Sequence, residues 1–238
     1  MTLGQIYGVS LGPGDADLIT LKGLKTLRQA DKIYYPGSLF KNGRKSSYSL
    51  SILQQYDLDI EKLNGFYLKM DVERVQANTI YETTFQQIVE DYHKGLSVVI
   101  VSEGDISTFS SFSYLLKKIK AHELSVDLIP GITSYSHLAS ESGIPLCLQN
   151  EKITIIPRIQ SAAELQEAIL NFDTVILMKI KSVMDSITAI IDPKIHSITY
   201  AERLGTDKQF ITNNWAKANQ REIPYFSLLI IKKINQCK

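Results

Sequence analysis

Hydrophobic residues along the chain fall into short continuous runs and longer runs spaced three or four apart. Their alternation predicts an α/β protein. Gln5–Leu11 reads as the first strand and ends at Gly12-Pro13-Gly14-Asp15. A helix is expected from Thr20, a hydroxyl N-cap, with Leu21, Leu24 and Leu27 on one side before Asp31. Lys32–Tyr35 reads as a short strand closed by Pro36-Gly37, and the polar stretch Ser38–Ser51 as a surface loop. Tyr81, Phe85, Ile88 and Tyr92 recur at helical spacing in a long helix expected from Val72 to Lys94, stopped by Gly95.

The second half repeats the pattern. Ser97–Ser102 is an apolar strand running into Glu103-Gly104-Asp105, and Tyr114–Ile119 lies in a helix ending near His122. Val126–Ile129 is a strand ending in Pro130-Gly131-Ile132-Thr133-Ser134, followed by a helix to about Ser142. Lys152–Ile156 is a strand, and Ser161-Ala162-Ala163-Glu164 is a capping box opening a helix to Leu170. Thr174–Met178 and Ser197–Ala201 are strands around a Val183–Ile191 helix, and Pro224–Ile231 is the last strand. The charged Ala121-His122-Glu123 before a new strand marks a domain break, giving domains 1–124 and 125–238.

Composition narrows the partners. With 26 Lys and Arg against 25 Asp and Glu, the chain has no global field to attract nucleic acid. Cys147 and Cys237 stand far apart without CxxC spacing, so neither a disulfide framework nor a thiolate metal site is expected. His93, His122, His137 and His196 show no metal-like pairing, and of these only His137 follows closely on one of the glycine loops. No apolar stretch approaches the ~20 residues that span a bilayer. Asp15 and Asp17 fall where a signal peptide would be apolar, so a cytoplasmic protein with no membrane partner is expected.

Three strands end in loops of small residues: Gly12–Asp15, Gly104–Asp105 and Gly131–Ser134. Any one of them is explained as a turn that needs glycine. Three together favour a shared ligand site, because ligands of open α/β sheets sit beyond the carboxyl ends of strands. The loops are poor phosphate cradles. The first lacks the Lys-Ser/Thr of a P-loop and GxGxxG spacing, and Pro13 removes an N–H that a phosphate would use.

Val9-Ser10-Leu11-Gly12-Pro13-Gly14-Asp15 resembles the opening signature of the tetrapyrrole methylases, which use S-adenosylmethionine. Four more pieces follow in that family's order: Glu103-Gly104-Asp105, Pro130-Gly131-Ile132-Thr133-Ser134, the strand ending Leu177-Met178-Lys179, and Pro224-Tyr225-Phe226-Ser227-Leu228. Tyr35-Pro36-Gly37-Ser38, Glu103 and Tyr200-Ala201-Glu202-Arg203 are most similar to members that methylate C20 of precorrin-2 or of cobalt-factor II. The chain departs from the pattern at Ser10, where a glycine is usual, and at Ile106, where a proline commonly follows Gly-Asp.

The resemblance implies two α/β domains with the cofactor cleft between them, the Gly-Pro-Gly-Asp loop on the substrate side, and a homodimer. By residue, it implies that Pro13, Glu103, Gly104, Asp105 and the Ile106 backbone meet the methionine and ribose parts of S-adenosylmethionine. Thr133 and Ser134 would meet its amino-acid end, and Met178, Tyr225 and Phe226 would wall the adenine. Glu103 and Tyr225 are candidates for a catalytic base, and no metal ligand is implied. The tetrapyrrole substrate carries many carboxylates and calls for local cations. Lys41, Arg44 and Lys45 are the densest basic cluster and, with Gly12 and Asp15, are the candidate substrate-binding residues. Methylation at another ring position, or of uroporphyrinogen III, and a non-catalytic binding module remain open alternatives. So does the presence or absence of cobalt in the ring.

Overall fold

A computed structural model describes residues 3–69 and 74–234. Val72 and Cys237 lie outside the described residues. The chain divides into two compact units, Met1–Thr133 and Ser134–Lys238.

The first unit runs β1 (Gln5–Ser10), α1 (Leu21–Gln29), β2 (Lys32–Leu39), β3 (Lys45–Ser46), α2 (Tyr48–Leu53), β4 (Leu63–Lys69), α3 (Arg74–His93), β5 (Ser97–Ser102), α4 (Phe112–Ala121) and β6 (Val126–Ile129). Five strands lie in the order β4-β2-β5-β1-β6, all parallel, and β3 pairs antiparallel with the far end of β2. Parallel strands need crossovers, and right-handed crossovers set the side each helix takes. α1 and α2 bury Leu27, Ile52 and Leu53 against Val9, Ile33, Val99 and Val101 on one face. α3 and α4 bury Phe85, Ile88, Leu115 and Ile119 against Ile6, Val98 and Ile100 on the other. The alternation of β5 residues between the two cores is the period-two signature of a sheet covered on both sides.

That topology places the site. The connection leaving β1 goes to one face through α1, and the connection leaving the adjacent β5 goes to the opposite face through α4. The crevice at the carboxyl ends of β1 and β5 is therefore a topological switch point, where open α/β sheets hold ligands.

The break expected at residue 124 falls instead between Thr133 and Ser134. β6 pairs with β1 from Ile6↔Val126 to Val9↔Ile129 and completes the first sheet. The charged Ala121-His122-Glu123 is only the turn between α4 and β6, with Glu123 at φ +54°. The stretch expected as a loop at Ser38–Ser51 is also structured. β2 continues through Pro36, which lies just past the last β2–β5 pair at Tyr34↔Ile100 and pairs with Phe66 of β4 on its other side. The Ser47 hydroxyl then caps α2 by accepting from the Leu50 N–H at 3.0 Å.

The second unit runs α5 (Ser134–Glu141), β7 (Ile153–Ile156), α6 (Ala162–Asn171), β8 (Thr174–Met178), α7 (Met184–Ile190), β9 (His196–Glu202), β10 (Phe210–Thr212), α8 (Trp215–Asn219) and β11 (Ser227–Lys233). Its sheet is mixed, in the order β10-β9-β11-β8-β7, with only β7 and β8 parallel. One face is covered by α6, α7 and α8 through Leu165, Ile169, Ile187 and Ala218, and the other by α5 through Leu138 and Ala139. The Ser161 hydroxyl caps α6 by accepting from the Glu164 N–H, as the capping box predicts. The last strand begins at Ser227, not Pro224, so Tyr225 and Phe226 stand in the loop before it.

Candidate functional site

Because β5, β1 and β6 are adjacent and parallel, their carboxyl ends bring all three glycine loops together. Gly12 and Gly104 form an antiparallel bridge. The Gly12 N–H donates to the Gly104 carbonyl at 3.1 Å, and the Gly104 N–H to the Gly12 carbonyl at 2.7 Å. Gly104 has φ +65°, and nothing lies within 4 Å of where a Cβ would stand. Its glycine therefore meets a backbone requirement and leaves open space above the bridge. Gly131 is required by close approach instead: a Cβ there would lie 2.4 Å from the Ser10 Cβ and 2.9 Å from the Gly104 carbonyl oxygen.

Asp105 ties the loops. Its Oδ2 accepts from the Gly131 N–H at 2.8 Å, and its Oδ1 from the Ser107 N–H at 2.9 Å and from the Ser107 hydroxyl. The Ser10 hydroxyl accepts from the buried Ile106 N–H at 2.8 Å. The hydroxyl at position 10 thus links β1 to the loop after β5. Burial pushes the Asp105 carboxyl up, but the hydrogen bonds from Ser107 and Gly131 outweigh it and hold the group below its usual value of 3.8.

Glu103 faces the N-terminal end of α2. Its Oε1 accepts from the Ser49 N–H at 3.1 Å and the Ser49 hydroxyl at 2.7 Å. Tyr48 next door is pushed up to about 12 by burial and by the Glu103 charge. Pro13 is buried, while Asp15 is half-buried and accepts from the Asp17 N–H at 2.9 Å, capping the turn Ala16–Leu18. Lys41, Arg44 and Lys45 are exposed on the β2–β3 hairpin, which projects on the carboxyl-end side of the sheet. Arg44 stacks over Phe40 at 4.7 Å and Lys45 over Tyr67 at 4.7 Å. Thr133 is the last residue of the first unit, and Ser134 opens α5.

In the second unit, β8 and β9 both run toward the point where β11 begins, so their ends and its start form one cluster. Met178 pairs with Leu228, the Lys179 N–H reaches the Ser227 carbonyl at 3.3 Å, and the Arg203 N–H reaches the Phe226 carbonyl at 3.0 Å. Tyr225 and Phe226 meet edge to face at 5.2 Å, with the Lys179 Nζ 5.6 Å above the Tyr225 ring. Met178 is half-buried, whereas Tyr225 and Phe226 are 50% and 44% exposed.

Ser49, which orients Glu103, falls in the stretch expected as a loop. Arg221, which grips Glu202, carries no motif. His137 is buried on α5 with its Nε2 3.7 Å from Glu141 Oε1, and Cys147 is exposed. Among the described residues, no group of three or more His, Cys, Asp or Glu side chains gathers to hold a metal ion. The polar groups beside the three loops are mainly acceptors: backbone carbonyls and two carboxylates, with small hydroxyls. They suit a cationic nucleoside without phosphates better than a nucleotide.

The model of the family Tetrapyrrole (Corrin/Porphyrin) Methylases matches residues 5–218. The chain is 30% identical to a probable cobalt-precorrin-2 C(20)-methyltransferase of Methanocaldococcus jannaschii, covering 98% of this chain and 97% of that protein. It is 27% identical to a precorrin-2 C(20)-methyltransferase of Sinorhizobium, covering 96% and 95%. Among solved structures, the uroporphyrin-III C-methyltransferase of Thermus thermophilus complexed with S-adenosylhomocysteine superposes with TM-score 0.65 at 18% identity, over 96% of this chain and 97% of that one.

Proposed function

Since the chain belongs to the tetrapyrrole methylase family, we propose that it transfers a methyl group from S-adenosylmethionine to C20 of precorrin-2 or of its cobalt-containing counterpart. The substrate assignment rests on the near-full-length similarity to proteins named for that reaction in both its metal-free and cobalt forms. The observation that carries the cofactor assignment is the Gly12–Gly104 bridge with open space over Gly104 at the switch point. S-Adenosylmethionine supplies the electrophilic methyl, transferred in line with its sulfur–carbon bond.

The protein's own part is alignment and exclusion of water. In the first unit, Pro13, Glu103, Gly104, Asp105 and the Ile106 backbone hold the methionine and ribose parts, with Asp105 fixing the loop path, and Thr133 meets the amino-acid end. In the second unit, Ser134 serves the amino-acid end, and Met178, Tyr225 and Phe226 face the adenine. Glu103, oriented by Ser49, or Tyr225 takes the proton that the methylated carbon loses. Gly12 and Asp15 face the substrate. Lys41, Arg44 and Lys45 pair with its carboxylates. The protein acts as a cytoplasmic homodimer. Among the described residues, no helix is long and apolar enough to cross a membrane.

The test is incubation with methyl-labelled S-adenosylmethionine and, separately, metal-free precorrin-2 and cobalt-factor II, locating the label by NMR. One methyl at C20 is expected. Label at another carbon, or incorporation only into uroporphyrinogen III, overturns the assignment. Sedimentation at micromolar concentration checks the dimer, and a monomer there refutes it. Replacing Lys41, Arg44 and Lys45 together by Ala is expected to raise the tetrapyrrole KM about tenfold, on the order of 1.4 kcal/mol across three exposed cations. Affinity for S-adenosylhomocysteine should stay unchanged, and an unaltered KM removes the hairpin from the substrate site.

A further inference from the structure

Glu202 ends β9 and is 1% exposed. Its Oε1 accepts from the Tyr200 hydroxyl at 2.8 Å and from the Arg221 Nε at 2.9 Å, and its Oε2 accepts from the Arg221 Nη2 at 3.1 Å. The Arg203 Nη1 lies 3.9 Å from Oε2. The Arg221 guanidinium also stacks over Phe210 at 4.0 Å, and Phe210 pairs with Glu202 in the β9–β10 ladder. A planar fork held by both carboxylate oxygens and by an aromatic face has a single orientation.

Arg221 begins the segment that leads into β11. Five residues on, the Phe226 carbonyl accepts from the Arg203 N–H, and Ser227 pairs with Glu202 itself. Inside the segment, Ile223 is buried and the Ser227 hydroxyl donates to the Pro224 carbonyl at 2.9 Å. Both ends are thus fastened at Glu202, one by side chain and one by backbone. What the fastened loop presents is Tyr225 and Phe226, two aromatic rings held about half exposed. Burying a carboxylate in an ion pair is a poor way to gain stability compared with apolar packing. Holding large rings in solvent is no better.

We propose that Glu202 is a positioning residue, whose grip on Arg221 fixes the loop 222–226 so that Tyr225 and Phe226 form a ready-made wall for the adenine of S-adenosylmethionine. The proposal rests on the cofactor reading above and adds the residues that preorganise its adenine side.

Three proteins test it: wild type, Glu202→Gln, and the triple variant Tyr200→Phe/Glu202→Leu/Arg221→Met, which replaces buried Tyr200 and Glu202 and exposed Arg221 by apolar groups of similar size. Calorimetry with S-adenosylhomocysteine and thermal unfolding are read on each. Both variants are expected to bind S-adenosylhomocysteine about tenfold more weakly. In turnover, the KM for S-adenosylmethionine should rise, with the tetrapyrrole KM unchanged. Thermal stability should recover in the triple variant while affinity does not, a split that a merely structural role would not produce. Wild-type affinity in Glu202→Gln, or in a folded triple variant, overturns the proposal. A wild-type protein that itself fails to bind S-adenosylhomocysteine overturns the cofactor reading instead.

Discussion

Each unit buries one carboxylate where a central strand ends, and the two are satisfied in different ways. Asp105, just past β5, takes its hydrogen bonds from the backbone N–H groups of Gly131 and Ser107 and from the Ser107 hydroxyl. Glu202, at the end of β9, takes them from the side chains of Tyr200 and Arg221. Backbone donors cannot be substituted away, so an acceptor at position 105 is demanded by the path of the loops. Side-chain donors can be removed together with their acceptor, so the charge at position 202 is demanded only by what it positions. The first arrangement is a condition of the fold, and the second is a device added to it.

Removing each carboxylate separates these cases, and the larger effect belongs to Asp105. Asp105→Ala removes the acceptor of the part-buried Gly131 N–H, at about 1–3 kcal/mol, and leaves the N–H of exposed Ser107 to water. Asp105→Asn retains one acceptor oxygen and should recover about half of that loss. Urea denaturation gives both values, and S-adenosylhomocysteine binding should be lost in the Ala variant. A stability for Asp105→Ala within about 0.5 kcal/mol of wild type, as at an ordinary surface position, would erase the distinction drawn above.

The second prediction concerns Glu202→Leu, which leaves the Tyr200 hydroxyl buried without an acceptor and costs about 1–3 kcal/mol. The triple variant Tyr200→Phe/Glu202→Leu/Arg221→Met removes donors and acceptor together. It is expected to return to within about 1 kcal/mol of wild type, because no buried polar group is then left without a partner and Arg221 is itself exposed. No comparable set of substitutions exists around Asp105. If the triple variant is as unstable as Glu202→Leu, the cluster is structural and the two carboxylates are equivalent.

The same contrast explains what the sequence reveals. Glycines at the ends of Gln5–Ser10, Ser97–Ser102 and Val126–Ile129 are visible as a pattern, and parallel pairing of these strands then gathers them without further information. Alternating apolar runs likewise expose β1, β5, β6 and β8. β4 (Leu63–Lys69) escapes because it is an edge strand with Asn64 and Gly65 inside it, and β3 because it has two residues. α2 escapes because its capping serine lies in a run of polar residues. Ser49 meets Glu103 across 54 positions and Arg221 meets Glu202 across 19, contacts set by strand register and loop path. The boundary at Thr133–Ser134 is hidden in the sequence for a related reason. A charged turn looks the same in sequence whether it joins two strands of one sheet or two units.

The smallest expected effect is in acid. Both carboxylates have pKa values held below their ordinary ones. At Glu202 burial pushes upward, but the hydrogen bonds from Arg221 and Tyr200 prevail. A depressed native pKa means that the unfolded chain takes up the proton first. The stabilisation is therefore complete above the unfolded value and is lost as pH falls toward the native one. The ordinary values are 4.5 for Glu202 and 3.8 for Asp105, so loss in the second unit should begin at the higher pH. The chain has one tryptophan, Trp215 on α8, packed against the core of the second unit. Its fluorescence during thermal unfolding, followed from pH 7 down to about pH 3, reports that unit while far-UV circular dichroism reports the whole chain. Glu202→Gln should flatten the acid slope of the Trp215 transition, and Asp105→Asn should leave that slope as it is. A Trp215 transition with an unchanged acid slope in Glu202→Gln would show that the charge at 202 contributes no pH-dependent stability to its unit.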